Sequence, residues 1–238
     1  MSHFAVLVFL DKGQSVDDDS LDSILAPYSE NLKVEPYVEC TKAEAIAKAK
    51  EWWHDCYKTD EEYYKHYLEI YEEQTDEDGN ILTTYNPDSK WDWWVVGGRY
   101  SGMLKLKTGE YVDYGLVKDL DFSPDEAEYK FRLHFWDVVV DHQPVPGGEE
   151  DMYFTLYSEK YYKDYYGTRE NYAKICAQFS TYAVVTPDGV WHGKGEMGYW
   201  AMSSETPEEA QDWEDNYYER FIQTADPEWT AVIIDCHI

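Results

Sequence analysis

The sequence predicts an α+β fold of one domain, residues 1–238, in which a mixed, mainly antiparallel sheet is packed by helices. Helix-like segments are inserted between strand-like ones along the chain. Both ends are strand-like, with "HFAVLVFL" near the start and "EWTAVIIDCHI" at the finish. Hydrophobic residues make up 43% of the chain, enough for a substantial core. We expect the first and last strands to be adjacent in the sheet.

The first third of the chain combines strands with a long helical stretch. The first strand, about residues 3–10, is apolar on both faces, as a central strand would be. The acidic segment "DKGQSVDDDS" is typical of a solvated turn, and "LKVEPYVEC" of extended chain. Thr41 and Glu44 have capping-box spacing. Residues 42–74 contain no Pro or Gly, which predicts one long helix or two abutting ones.

The rest of the chain alternates hairpins with helices. Hairpins are predicted at "MLKLKTGEYVDYG" and "TYAVVTPDGVWHG". Helix starts are marked by "SPDE" at 123–126 and "TPEE" at 206–209, each with a cap residue followed by Pro. Two helical pieces are expected within about 153–179, and the last helix is expected to end near Gln223. A loop near 142–151 is the main candidate for an internal boundary.

The charge of the chain excludes several partners. Twenty Lys and Arg against 49 Asp and Glu give a formal net charge of −29. Such a surface repels the DNA backbone and anionic membranes, so we expect neither direct nucleic-acid binding nor membrane association. Two interpretations stay open. The carboxylates keep a Tyr-rich protein soluble, or they imitate DNA phosphates in the basic groove of a DNA-binding enzyme.

Cysteine usage and the N-terminal segment predict a cytoplasmic protein. The four cysteines are widely scattered, with no CxxC pair, which is typical of reduced thiols. The opening "MSHFAVLVFL" is too short to span a bilayer and lacks the basic flank of a secretory signal.

The stretch "KWDWWVVGGRYSG", residues 90–102, contains the parts of a nucleotide site. Paired glycines let a ligand approach the backbone, Arg offers a planar fork for phosphate, and Trp offers a flat surface for a base. The candidate ligand-binding residues here are Lys90, Trp93, Trp94, Gly97, Gly98 and Arg99. The spacing is neither a P-loop nor GxGxxG. In the structural alternative, the Trp side chains face the core, the glycines form a bulge, and Arg99 pairs with a carboxylate.

A second candidate site joins the two ends of the chain. Asp235 and His237 are two residues apart on one strand and therefore share a face. Antiparallel pairing of the first and last strands would bring His3 beside them. Two histidines and a carboxylate could catalyse acid–base cleavage of a phosphodiester. They could also bind a metal, or be terminal side chains with no role.

A third candidate is the loop "VWHGKGEMGYW", residues 190–200. Trp191, His192 and Lys194 could close over a ligand, because the surrounding glycines allow the loop to move. The alternative is a Gly-rich connection whose Trp side chains cover the edge of the core.

These segments together resemble an uncharacterised family of bacteriophage and prophage proteins. The resemblance rests on an N-terminal "MSHF" strand, "LAPYSENLKVEPYV", a central NPxSKWDWxxxGGR motif, "TPDGVWHGKGEMGYW" and a C-terminal "DCHI". It implies a phage setting and no particular reaction. Accessory phage proteins often blunt host immunity, and many immune systems signal with cyclic or NAD-derived nucleotides, so the link to function is one of association.

The leading hypothesis is a phage counter-defence protein that binds a nucleotide-like small molecule, such as a host immune signal, and sequesters or cleaves it. Arg99, Lys90 and the glycine amides would hold phosphate, Trp93, Trp94 or Trp191 would stack on a base, and His3, Asp235 and His237 would supply catalysis. An enzyme of this kind would be a phosphodiesterase-like hydrolase. No cofactor is predicted, and a metal is left open. The alternative is an acidic DNA mimic that inhibits a basic host defence nuclease or other DNA-binding enzyme.

Overall fold

The computed structural model describes residues 2–71, 74–145, 153–198 and 202–238. Its strands are β1 (His3–Leu10), β2 (Tyr37–Cys40), β3 (Gln74–Thr75), β4 (Ile81–Thr83), β5 (Trp93–Val96), β6 (Leu104–Lys105), β7 (Tyr111–Val112), β8 (Tyr114–Leu116), β9 (Ala183–Val185), β10 (Trp191–Gly193) and β11 (Thr230–His237). Its α-helices are α1 (Asp18–Leu25), α2 (Lys42–Trp52), α3 (Asp60–Tyr71), α4 (Glu126–Val139), α5 (Glu159–Tyr166), α6 (Arg169–Ala177) and α7 (Pro207–Tyr217). The α+β class is confirmed.

Contacts group the chain into two compact units, Ala26–Lys90 and the remainder. Ala26–Lys90 has a three-stranded sheet, order β2-β4-β3, and the helices α2 and α3. Its core is made of small and aromatic side chains: Cys40, Ala45, Ala49, Tyr63, Tyr64, Tyr67 and Ile81. The loop near 142–151 lies within the larger unit, and part of it, 146–152, lies outside the described residues. The single domain of 1–238 stays a prediction.

The larger unit is built on a six-stranded sheet. The order is β10-β9-β1-β11-β5, with β8 also paired to β11. Only the β1–β9 pair is parallel among the pairs described in this sheet, so the sheet is mixed and mainly antiparallel as predicted. The first and last strands pair along their whole length, from His3 opposite His237 to Leu10 opposite Thr230. This adjacency is also confirmed.

The two central strands are buried on both faces, which is why their sequences are apolar rather than alternating. On one face, Leu7 and Phe9 pack beside Ile233 in a core that also contains Trp213 and Tyr217 of α7. Burial of each such side chain stabilises the fold by about 1.5–3 kcal/mol. The strands that place the candidate site are therefore anchored by the core itself.

Helix boundaries follow the cap residues, with two corrections. Thr41 of α2 and Thr206 of α7 form the predicted capping boxes. The cap of α4 is Asp125, not Ser123, because the Asp125 carboxylate accepts hydrogen bonds from the amides of residues 127 and 128. The segment "DKGQSVDDDS", predicted as a solvated turn, is helical at its end, because α1 begins at Asp18. Within the described residues, no helix combines the length and apolarity needed to cross a bilayer.

The segment predicted as one or two helices forms two, α2 and α3, separated by residues 53–59. The predicted hairpins pair as β6 with β7 and as β9 with β10. The α-helix α7 ends at Tyr217 and is followed directly by a π-helical turn, Tyr218–Ile222, so the helical segment ends next to the predicted Gln223.

The burial of β11 predicts a large difference between two identical substitutions in the larger unit. Val232→Ala removes two methyl groups from a fully buried position. We expect a loss of about 2–3 kcal/mol in the free energy of unfolding. Val190→Ala, at an exposed position, should change it by less than about 0.5 kcal/mol. Urea denaturation followed by circular dichroism measures both, and equal losses would contradict the assigned core.

Candidate functional site: two carboxylate-anchored histidines

The structure brings the predicted trio His3, Asp235 and His237 together at one end of the central strand pair. His3 lies opposite His237 across β1 and β11, and the two ring centroids are 4.9 Å apart. His3 Nδ1 lies 2.9 Å from Asp235 Oδ1. The side chains of His3, Asp235 and His237 are only 11%, 2% and 6% exposed. The expected antiparallel pairing therefore places three polar groups at the margin of an apolar sheet.

Asp92, which the sequence analysis did not single out, anchors the second histidine. Its Oδ1 lies 2.6 Å from His237 Nδ1, and its amide donates to the His237 carbonyl at 2.9 Å. Trp93 stacks on the His237 ring, with centroids 5.0 Å apart and planes 15° apart. In the sequence, Asp92 is recognisable only as an Asp between two Trp at the start of a strand. Its contact with His237 depends on the pairing of β5 with β11, which the sequence does not show.

The paired glycines contact carboxylates of the protein itself. Gly97 and Gly98 have φ of +69° and +53°, a region that favours glycine. The turn places the Arg99 amide 2.9 Å from Asp235 Oδ2, which accepts its hydrogen bond. The other oxygen of this carboxylate, Oδ1, contacts His3 Nδ1. The Gly97 amide donates to the Ile233 carbonyl at 2.8 Å. The expectation that the Gly97 amide holds ligand phosphate is therefore wrong, because the β11 backbone occupies it.

The guanidinium of Arg99 is exposed. The other three arginines of the chain each form an ion pair with a carboxylate: Arg132, Arg169 and Arg220. Arg99 forms none with the described residues. The structural alternative for Arg99, an ion pair with a carboxylate, is therefore not observed. Its backbone is fixed beside Asp235 while its side chain is left accessible to an anion.

Tyr100 and Cys236 are neutral groups near the site, Tyr100 beside His3 and Cys236 on the opposite face of β11. The Tyr100 hydroxyl donates to the His3 carbonyl at 3.1 Å. Burial, and then the charge of Asp235, raise the pKa of Tyr100. Burial also raises the pKa of the Cys236 thiol well above its ordinary value. A thiol held protonated is a poor nucleophile, so Cys236 serves as core.

The strand part of the third candidate segment, β10, lies at the opposite edge of the sheet from β5, whereas Gly198 near its end accepts a hydrogen bond from the Ser2 hydroxyl. Trp191 and His192 are on β10, which β9, β1 and β11 separate from β5. Four strand spacings correspond to about 19 Å. Lys194 forms a largely buried ion pair with Glu214 at 2.9 Å. The hypothesis that Trp191, His192 and Lys194 bind the same ligand as Arg99 is therefore wrong, because β10 and β5 are at opposite edges of the sheet. Residues 199–201 lie outside the described residues, so Tyr199 and Trp200 are not placed.

The two tryptophans of β5 point to different faces of the sheet. Trp93 lies opposite His237, and Trp94 lies opposite Cys236. Because alternate residues of a strand face opposite sides, Trp93 alone shares the face of the histidines. Of these two candidates for stacking on a base, Trp94 is therefore on the face away from the histidines. Lys90 belongs to the smaller unit, where its amide donates to the Tyr28 carbonyl at 2.7 Å.

The geometry leaves one nitrogen of each histidine available. An ionised carboxylate only accepts hydrogen bonds, so His3 and His237 donate through Nδ1 to Asp235 and Asp92. Each unprotonated Nε2 can then accept a proton, and no described residue bonds to either one. In the described parts of the chain, no group of three or more His, Cys, Asp or Glu is arranged to hold a metal ion. The arrangement is suited to transferring protons.

No family model, curated protein sequence or solved structure matches the chain. The resemblance to phage proteins therefore stays a prediction.

The close approach of Gly98 to Asp235 predicts a position-specific effect of alanine. A Cβ at Gly98 would lie 2.5 Å from Asp235 Oδ2 and 2.6 Å from Asp235 Cβ, whereas a Cβ at Gly109 would have nothing within 4 Å. Both residues have positive φ, so Gly109→Ala reports backbone strain, about 1 kcal/mol. Gly98→Ala should cost about 2 kcal/mol more in the free energy of unfolding. Equal costs in thermal or urea unfolding would show that this contact does not constrain the turn.

Proposed function

We propose that the protein binds a nucleotide-like small molecule at the histidine pair and cleaves its phosphodiester bond. The observation that carries the proposal is the pair of histidines, each oriented by its own carboxylate and each with Nε2 available. Carboxylate-oriented histidines are a recurrent device for general acid–base catalysis, because the carboxylate fixes the tautomer and stabilises the cation that forms.

The reaction needs one histidine in each protonation state. The Nε2 of the neutral histidine takes the proton from the attacking hydroxyl, either of the ligand or of water. The Nε2–H of the protonated histidine gives its proton to the oxygen that leaves phosphorus. One P–O bond forms and one breaks, and the pair ends with its protons exchanged. Centroids 4.9 Å apart place both rings within reach of a single phosphodiester.

Two neighbouring side chains supply binding groups. The accessible Arg99 guanidinium would hold a nonbridging phosphate oxygen, since it has no carboxylate partner in the described residues and its backbone is fixed beside Asp235. One face of Trp93 stacks on His237, and 42% of the residue is exposed. That exposed surface can accept a base.

The net charge of −29 opposes the approach of an anionic ligand. Salt screens this repulsion, since the Debye length falls to about 8 Å at physiological ionic strength. A nucleotide should therefore associate faster as salt is added over the low range. We propose that the setting is phage counter-defence, with a host immune signal as the ligand. Sequestration without cleavage is the weaker form of the same function.

A recovery assay tests this function. The protein is incubated with a panel of cyclic dinucleotides, cyclic oligonucleotides and NAD-derived signals, then heated, and the released products are analysed by chromatography. We expect a cleaved ligand with the native protein. His3→Ala and His237→Ala should each slow cleavage by about 100-fold or more, because each removes an acid–base group. Arg99→Ala should weaken binding.

His142→Ala is the matched control, because His142 is exposed and pairs with Glu159 outside the site. It should leave cleavage unchanged. Circular dichroism spectra of all variants separate misfolding from loss of catalysis. Recovery of intact ligand from the native protein reduces the function to sequestration. The absence of binding across the panel, measured by calorimetry and thermal shift, would contradict the proposal.

The charge favours a second candidate function, inhibition of a basic DNA-binding enzyme by imitation of DNA. This candidate predicts the opposite salt dependence. Binding to a basic nuclease should weaken steeply between about 50 and 200 mM salt, as DNA binding does. Titration of a nuclease with the protein at several salt concentrations, with duplex DNA as competitor, measures this. Affinity that is independent of salt, or simultaneous binding of DNA and protein, would exclude mimicry.

A further inference from the structure

The strand β5 is the open edge of the six-stranded sheet. It pairs with β11 on one side, and no strand of the described residues pairs with it on the other. The Gly97 amide donates to the Ile233 carbonyl, so the backbone groups of Gly97 point toward β11. This hydrogen bond shows which residues of β5 point toward β11 and which point away. Since antiparallel residues alternate in direction, Trp93 and Val95 also point their amides and carbonyls toward β11. The amides and carbonyls of Trp94 and Val96 therefore point outward.

The four residues of β5 carry neither of two sequence features, Lys and Pro, that usually prevent strand addition, although Asp92 and Trp93 both lie opposite His237 where the strand begins. Natural edge strands are protected by Lys, by Pro or by a bulge. The sequence of β5 is "WWVV", with no charge and no Pro. Trp93 and Val95 are each 42% exposed. An accessible apolar edge of this kind is a template for another strand. The four residues of β5 are uncharged, although the chain has a net charge of −29.

A groove of about 540 Å³ runs beside this edge and is strongly acidic. Its walls combine three aspartates, Asp18, Asp22 and Asp92, with tryptophans and valines of the β5 segment, and contain no Lys or Arg. Asp18 and Asp22 are exposed and lie four residues apart on α1, on the same side of that helix. The groove therefore complements an extended segment that carries positive charge.

Trp91 adds an independent indication of a ligand. It lines the groove and is only 8% exposed, yet its indole Nε1–H has no hydrogen-bond partner among the residues that the structure describes. Buried tryptophans usually donate this hydrogen, because leaving a buried donor unpaired is costly.

We propose that the β5 edge is a docking site for a basic, extended segment of a partner protein. The segment adds a strand to β5 through the outward groups of Trp94 and Val96, and its Lys or Arg side chains bind Asp18 and Asp22. Backbone pairing supplies affinity and the acidic groove supplies selectivity. This site goes beyond the proposed function, because it uses the outer edge of β5 rather than the Nε2 atoms of the histidines.

Synthetic peptides test the docking site. The probe is a capped, fluorescent peptide of about 12 residues that alternates Arg and Val, measured by fluorescence anisotropy at about 0.15 M salt. The same peptide with N-methyl groups on alternate amides keeps its charge but cannot pair along one edge. A Glu–Val peptide reverses the charge. We expect the N-methylated peptide to bind about tenfold more weakly, and the Glu–Val peptide not to bind.

Matched protein variants assign the binding to the groove. The double variant Asp18→Asn, Asp22→Asn should weaken the Arg–Val peptide by about tenfold. Asp55→Asn, Asp78→Asn removes the same charge from exposed positions of the smaller unit and should leave affinity unchanged. Equal binding of the N-methylated peptide, or equal loss in both double variants, would overturn the proposal in favour of nonspecific charge attraction. The Asp18→Asn, Asp22→Asn variant should cleave nucleotides as the native protein does, which separates this result from failure of the proposed function.

Discussion

The antiparallel register of β1 against β11 is the constraint on which the candidate site depends. It aligns His3 with His237 and sets Asp235 beside His3. The apolar residues further along both strands are fully buried, so the register is fixed by the core. A slip of one residue would move every side chain of one strand to the opposite buried face, where the neighbouring side chains are different. The packing of the apolar residues thus fixes the positions of His3, Asp235 and His237 at the polar end of the two strands.

The second partner strand, β5, completes the site from the other side of β11. It supplies Asp92 and Trp93 to His237, and the turn that follows it supplies the Arg99 amide to Asp235. Each histidine therefore has its own carboxylate. The "WDWWVVGGR" segment acts mainly by orienting polar groups of the terminal strands, while Arg99 and the exposed surface of Trp93 are the parts left for a ligand.

The sequence was sufficient to predict the features that depend on local pattern. The terminal strands, both capping boxes and the grouping of His3 with Asp235 and His237 follow from period-two alternation and cap chemistry. The Asp92 anchor and the position of Lys194 were not predictable, because both depend on strand order. A strand order of β10-β9-β1-β11-β5 places the two Gly-rich segments at opposite edges, and nothing local in the sequence encodes that separation.

Nitrogen NMR of the two imidazoles tests the central claim directly. The claim is that carboxylates hold His3 and His237 as Nδ1–H tautomers with Nε2 unprotonated. Long-range ¹H–¹⁵N correlation spectra, recorded at a pH where both rings are neutral, should show protonated Nδ1 and unprotonated Nε2 for both, and Asp235→Asn should change the pattern of His3 alone. Nε2–H tautomers, or rapid averaging of the two nitrogens in either ring, would contradict the account.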